Sequence, residues 1–142
     1  MGVLGHGWTY SAHPLCAAAG IANLEVLDRL GLVANAGEVG AYFRSALTEA
    51  LAGHRIVGEV RGEGLLAAVE FAADGEAGVL FDPALKVGPR IAAALLERGV
   101  IARAMPQGDI LGFAPPLCLS REEVDTIVAA TRGAVDEIAA TL

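Results

Sequence analysis

Few side chains of this chain combine a reactive group with a productive spacing. His13 and Cys16 lie three residues apart at a predicted helix start, but no second pair follows at metal-ligand spacing, so we expect no zinc site. Ser11 lies close to His13, yet no orienting acid accompanies them as a nucleophilic triad requires. The single lysine, Lys86, could in principle form a Schiff base, although a surface lysine is the simpler interpretation. The residues alone therefore predict no self-sufficient catalytic constellation.

A glycine-containing segment, Gly62–Ala67, allows two interpretations. It matches the G-x-G-x-x-A variant of the dinucleotide fingerprint, and Asp82 follows where a ribose-binding acid would lie. However, the preceding strand carries Glu59 and Arg61, whereas a central parallel strand is almost wholly apolar. The alternative is a hairpin whose glycines serve a tight connection. We favour the hairpin.

Hydrophobic spacing and helix punctuation predict alternating helices and strands. In order, we expect helices over 15–30 and 32–51, strands over 56–61 and 65–71, a helix over 88–98, strands over 100–105 and 110–114, and a helix after the capping box 120–123. This order predicts an α/β fold, an α+β sandwich with a mainly antiparallel sheet and helices on one face, preceded by a long N-terminal helical arm. Since that arm is apolar nearly all round, we expect it to be buried on most faces.

The composition narrows the function classes. The 142 residues carry a net charge of −7, which excludes a nucleic-acid binder that relies on a basic patch. No apolar run is long enough to span a bilayer. Hydrophobic residues make up 54%, an excess that indicates surface covered by another subunit or by further sequence. Cys16 and Cys118 form no disulfide framework, so we predict buried free thiols and a cytoplasmic location.

Several strings occur in a characteristic order along the chain. They are His6–Pro14 (HGWTYSAHP), Ala22–Glu25 (ANLE), Val57–Leu65 (VGEVRGEGL), Gly99–Arg103 (GVIAR), Gly108-Asp109 and Phe113–Leu117 (FAPPL). Together they resemble the class III (omega) aminotransferases, which are pyridoxal-phosphate enzymes of fold type I. The resemblance covers essentially the whole chain, and one departure is Ala12, which stands where this family commonly has glycine.

The resemblance implies transfer of an amino group from an amino acid or amine to a 2-oxo acid, in a homodimer. Only the C-terminal portion of such an enzyme is matched, with 1–31 as an N-terminal loop and interface helix and 32–142 as the small domain. The family's Schiff-base lysine belongs to an upstream domain, and Lys86 does not match its motif. We therefore expect no catalytic residue in this chain, and no activity from the chain alone.

Two binding roles carry over by position. The resemblance implies that Thr9 contacts the phosphate of pyridoxal 5'-phosphate bound in the neighbouring subunit, and that Arg103 binds the substrate carboxylate and swings out for neutral amines. The alternatives are a loop threonine that satisfies local backbone and an exposed strand arginine in a salt bridge. No metal is implied.

A different class of function stays open beside the enzyme. The chain could be a stand-alone α/β module for dimerisation or regulation. Within the family, aminomutase and dialkylglycine decarboxylase chemistry are also compatible with these motifs.

Overall fold

The computed structural model describes residues 2, 5–75 and 77–142, which form two compact units, 1–33 and 34–142. In the first unit, a turn over 9–12 precedes helix α1, Pro14–Arg29. Pro14 occupies the start of the helix as predicted, and the Nδ1 atom of the capping residue His13 accepts a hydrogen bond from the backbone N–H of Cys16 at 3.4 Å. Gly31 follows the helix with a φ of 60°, which confirms it as the stop.

Helix α1 is exposed within this chain, and its predicted burial against another subunit or a larger domain stays a prediction. None of its residues is buried, and Leu15 is 73% exposed. Within the described residues of this unit, 2 and 5–33, α1 is the single long helix, so no second apolar layer of the unit packs on it.

The remaining elements alternate as the periodicity predicts. They are α2 (Leu32–Leu51), β1 (Val57–Glu63), β2 (Leu66–Phe71), a short 3-10 turn (Pro83–Leu85), α3 (Val87–Glu97), β3 (Arg103–Ala104), β4 (Ile110–Phe113) and α4 (Arg121–Ala139). The four strands form one sheet in the order β1-β2-β4-β3, and every neighbouring pair is antiparallel. The predicted α/β fold with an antiparallel sheet is confirmed.

Strand β3 is shorter than predicted. It contains only Arg103 and Ala104, because it lies at the edge of the sheet and pairs only with the four-residue strand β4. The N–H of Met105 donates to the carbonyl of Ile110 at 2.8 Å and closes the connection between the two strands.

The segment Gly62–Ala67 is a hairpin, so the dinucleotide interpretation is wrong. Glu63 pairs with Leu66, which leaves Gly64 and Leu65 as a two-residue turn. Gly64 has a φ of 54°, a conformation that glycine adopts without strain. Strand β2 follows this turn, whereas a dinucleotide fingerprint requires a helix there.

One face of the sheet packs into the core. The predicted inward residues of the second strand are all buried, and all three helices of this unit contribute side chains to the same cluster. These inward residues are Leu65, Ala67, Val69 and Phe71. On β4, Phe113 meets Phe43 of α2 edge to face, with ring centroids 5.6 Å apart.

Helix α4 begins with the predicted capping box. The hydroxyl of Ser120 accepts from the N–H of Glu123 at 3.2 Å, and the Glu123 carboxylate accepts from the N–H of Ser120 at 2.8 Å. This backbone hydrogen bond, with that from the Ser120 hydroxyl, lowers the pKa of Glu123. The local sequence thus supplies the capping residues at the start of the helix.

Helix α2 and the hairpin approach each other closely at two glycines. A Cβ on Gly40 would overlap the backbone carbonyl of Gly64, whereas a Cβ on Gly37, in the same helix, would meet nothing within 4 Å. The guanidinium of Arg44 donates to the same Gly64 carbonyl at 2.5 Å. The hairpin is therefore held against α2 by a backbone contact that only glycine permits.

A matched pair of glycine substitutions tests this contact. Gly40→Ala should lower the free energy of unfolding by about 1–3 kcal/mol, because the new methyl group displaces the hairpin backbone. Gly37→Ala should raise it by about 0.5–1 kcal/mol, because alanine has the higher helix propensity. Chemical denaturation followed by circular dichroism measures both, and equal effects would contradict the close approach.

Candidate functional site

The site is built on the face of the sheet that does not contribute to the core. In the register, Arg61 of β1 lies opposite Ala68 of β2, and Ala68 lies opposite Gly112 of β4. Arg103 of β3 lies opposite Gly112 on its other side. Directly opposed residues share a face, so the four form one row with an arginine at each end. With strands about 4.8 Å apart, the two arginine backbones are roughly 14 Å apart.

A cavity of about 960 Å³ lies over this row. The wall of this cavity is mostly apolar, and it also contains the side chains of Arg61 and Arg103. The residues that shape it around the row are Arg61, Leu66, Arg103, Met105, Ile110 and Gly112. An apolar concavity with a few charged groups at defined positions is typical of a small-molecule site.

The two arginines differ in electrostatic environment. Arg61 forms ion pairs with Glu70 at 2.6 Å and Glu59 at 2.7 Å. The hydrogen bonds to these two carboxylates raise the pKa of Arg61, and the bond to Glu70 has the larger effect. Over residues 2, 5–75 and 77–142, no ion pair engages Arg103, which is exposed on the edge strand. Arg103 is therefore the cation that remains available to an anionic ligand.

Asp109 holds the turn beside the cavity in place, a role that we did not predict from the sequence. Its carboxylate accepts a hydrogen bond from the N–H of Gly88 at 2.7 Å, in the first turn of α3. Lys86, the capping position of that helix, makes no side-chain capping bond. A carboxylate at a helix N-terminus is favourable because the first N–H groups have no partner within the helix. Only the Gly-Asp turn itself could be read from the sequence.

Removing the Asp109 carboxylate should destabilise the domain. We expect Asp109→Ala to lower the free energy of unfolding by about 1–2 kcal/mol, because the first turn of α3 loses its cap. Asp109→Asn keeps an acceptor oxygen and should cost less. Chemical denaturation of the three proteins checks this order, and no difference between Asp109→Ala and the parent would contradict the capping role.

Thr9 lies in the first unit, exposed in the turn that precedes α1. The turn is closed by a hydrogen bond from the N–H of Ser11 to the carbonyl of Trp8 at 3.0 Å, and the N–H of Trp8 donates to the Ser11 hydroxyl at 3.1 Å. Ala12 has a φ of 59°, which strains a residue with a Cβ. This strain gives a physical reason for the glycine that we expect there in related sequences.

The other side chains considered from the sequence lie away from the cavity wall. Lys86 is exposed and is not part of the wall. Cys16 and Cys118 are free, but both are exposed, so their predicted burial is wrong. Cys118 lies in the loop before α4, where its neighbour Leu119 takes the buried position.

In the described part of the chain, no cluster of three or more His, Cys, Asp or Glu side chains could hold a metal, and no helix is long and apolar enough to cross a membrane.

Comparisons with known proteins agree on one family. The family model for class-III aminotransferases matches residues 1–135. The diaminobutyrate–2-oxoglutarate transaminase of Halomonas elongata is 60% identical over 137 residues, which cover 96% of this chain and 29% of that protein. An uncharacterised aminotransferase of Sinorhizobium fredii is 54% identical, over 97% of this chain and 30% of its own length.

Solved structures show the same relationship. A transaminase structure from work on directed evolution by ancestral reconstruction superposes with a TM-score of 0.95 at 62% identity, and covers 99% of this chain and 31% of that one. A thermostable omega-transaminase from Thermomicrobium roseum superposes with a TM-score of 0.87 at 39% identity, over 96% of this chain and 30% of that one. The chain thus spans less than a third of the length of these relatives. Matched over 135 of its 142 residues, it belongs to the class-III aminotransferase family.

Proposed function

We propose that this chain is the C-terminal small-domain portion of a pyridoxal-phosphate-dependent aminotransferase, which transfers an amino group from an amino acid or amine to a 2-oxo acid. Its own contribution is to bind the substrate carboxylate through Arg103. The observation that carries this proposal is the position of Arg103 in the wall of the cavity, without an ion pair among the described residues. A guanidinium binds a carboxylate through two parallel hydrogen bonds, which sets orientation as well as affinity.

The asymmetry of the row determines which end of the cavity receives the carboxylate. At the β1 end, Glu59 and Glu70 offset the charge of Arg61 and would repel a further anion. At the β3 end, Arg103 attracts it. The apolar wall between the two ends would contact the carbon chain of a substrate whose carboxylate Arg103 binds. Arg103 lies on a two-residue edge strand, which leaves its side chain free to turn toward solvent when a neutral amine binds.

The residues around Thr9 fit the phosphate of the cofactor. Its hydroxyl is exposed just ahead of the N-terminus of α1, and the first turn of α1 carries no acidic side chain. A hydroxyl donor near a positive helix end suits a phosphate group. Pyridoxal 5'-phosphate, when bound, supplies the electron sink for bond cleavage at the carbon bearing the amino group. Thr9 would hold the phosphate of the cofactor in the neighbouring subunit of a homodimer.

The lysine that binds the cofactor covalently would come from outside these 142 residues. The single lysine of this chain, Lys86, is exposed and is not part of the cavity wall. We therefore infer that the chain holds no catalytic residue and is inactive alone. Its role is to bind and orient groups whose chemistry occurs elsewhere in the enzyme.

The exposed apolar residues of α1 support the inferred assembly. Leu15 is 73% exposed, Ile21 58% and Leu24 63%, so this helix carries a large apolar surface. We propose that residues 1–31 form a loop and interface helix that another subunit or a larger domain covers, and that residues 32–142 form the small domain. The two free, exposed cysteines suit a reducing compartment, which supports a cytoplasmic location.

Substitution of Arg103 tests the carboxylate role. The test uses a chimaeric holoenzyme in which this chain replaces the matching segment of the Halomonas elongata diaminobutyrate transaminase. Arg103→Ala should lower kcat/KM for acid substrates about 10–100-fold, because a charge-assisted bidentate contact is lost. Neutral amines should be affected much less. Steady-state kinetics with one acid and one amine donor measure the difference.

Arg98→Ala is a suitable control, because Arg98 pairs with Glu137 and is not part of the cavity wall. It should leave the acid-to-amine ratio unchanged. An equal loss for acids and amines in Arg103→Ala would contradict the carboxylate role. Turnover by the 142-residue chain alone would contradict the inference that the lysine lies outside it.

Substitution of Thr9 tests the phosphate contact. In the chimaeric holoenzyme, Thr9→Ala should weaken retention of the cofactor about tenfold, because one hydrogen bond to a charged group is lost. Thr9→Ser keeps the hydroxyl and should retain the cofactor like the parent. Dialysis followed by measurement of cofactor absorbance checks both variants. Unchanged retention in Thr9→Ala would remove Thr9 from the phosphate site.

A further inference from the structure

Gly112 occupies an interior position of strand β4, where a glycine has to be explained. Glycine weakens a strand, because it gains no side-chain packing and loses the most backbone entropy on folding. Three physical reasons can favour it in such a place: an irregular backbone, a close approach by another part of the chain, or space for a ligand.

The backbone of Gly112 gives no reason for glycine. Its φ does not lie in the left-handed region, unlike those of Gly64 and Gly108. The pairing of β2 with β4 also runs through it without a register shift, so no bulge requires it. A residue with a side chain could adopt this conformation.

No close approach within this chain requires the glycine either. A Cβ on Gly112 would lie 3.4 Å from the Sδ atom of Met105 and 3.7 Å from the backbone oxygen of Arg103, which are ordinary contact distances. The contrast with Gly40 is clear, since a Cβ there would overlap a backbone carbonyl. The space above Gly112 is part of the cavity on the open face of the sheet.

The remaining reason is space beside Arg103. The two residues are direct neighbours across the β3–β4 pair, so their side-chain directions share a face about 5 Å apart. We propose that Gly112 is a specificity-determining residue, which leaves room for the carbon chain of a 2-oxo acid whose carboxylate Arg103 binds. This inference rests on the proposed function and adds to it a limit on substrate size. A side chain at position 112 would fill the space that a longer acid needs.

The first test concerns folding and uses the 142-residue chain. Gly112→Val should leave the free energy of unfolding unchanged or raise it, because the fold does not require glycine there. Thermal and chemical denaturation measure this. A clear loss of stability in the isolated chain would overturn the proposal, since the glycine would then serve the fold.

The second test concerns substrate size and uses the chimaeric holoenzyme. Gly112→Ala and Gly112→Val should lower kcat/KM for 2-oxoglutarate progressively, by about tenfold for valine, with a much smaller loss for the shorter acceptor pyruvate. Gly58→Ala is a matched control. Gly58 is also a strand glycine with ordinary room for a Cβ, but it is not part of this cavity wall. It should leave the ratio of the two acceptors unchanged.

The outcomes separate this inference from the proposed function. A fall in the 2-oxoglutarate-to-pyruvate ratio supports the role of Gly112. An equal loss for both acceptors overturns it, as expected if another segment of the enzyme fills the space. Suppose that Arg103→Ala selectively impairs acid substrates while the Gly112 variants keep the parent's 2-oxoglutarate-to-pyruvate ratio. The carboxylate role of Arg103 is then supported, and the role of Gly112 in limiting substrate size is contradicted. Suppose instead that Arg103→Ala impairs acids and amines equally while the Gly112 variants still change the 2-oxoglutarate-to-pyruvate ratio. Gly112 then limits substrate size, but Arg103 is not the group that binds the carboxylate.

Discussion

Burial of one face of the antiparallel sheet determines which residues lie on the opposite, open face. The side chains of Val69, Phe71 and Leu111 are fully buried against the helices. Since side chains alternate along a strand, a slip of one residue would expose these groups and bury the Glu70 carboxylate. Their burial therefore holds the register of β2 and β4. That register is also what aligns Arg61 and Arg103 in one row on the open face.

The open face is chemically useful because its two arginines are not equivalent. Glu59 and Glu70 lie beside Arg61 and offset its charge, whereas Arg103 has an apolar neighbourhood in the described part of the chain. We propose that the carboxylate of a ligand binds at the Arg103 end of this cavity. Ala68 and Gly112, in the middle of the row, have small or no side chains and therefore leave space above the sheet. The charge of Arg103 and the small volume of Gly112 support the same proposal, that a 2-oxo acid binds here.

Local signals in the sequence predicted most of the elements, because those elements begin and end through local interactions. The capping box at Ser120, Pro14 at the start of α1 and the hairpin after Gly62 each depend on residues only a few positions apart. Predictions that depended on distant partners were less successful. The expected burial of Cys118 was wrong, and α1 is exposed within this chain, because an apolar local sequence does not show which surface covers it.

The sequence by itself determined the family, the order of the elements and the inward face of the hairpin, since motif spacing and period-two alternation are properties of the linear chain. Only the tertiary structure decided which residues meet across the sheet. It placed Arg103 beside Gly112, paired Arg61 with Glu70, and brought Asp109 to the start of α3. These contacts join positions that are 9 to 21 residues apart, and the strand pairing and packing that create them are not encoded in any short segment.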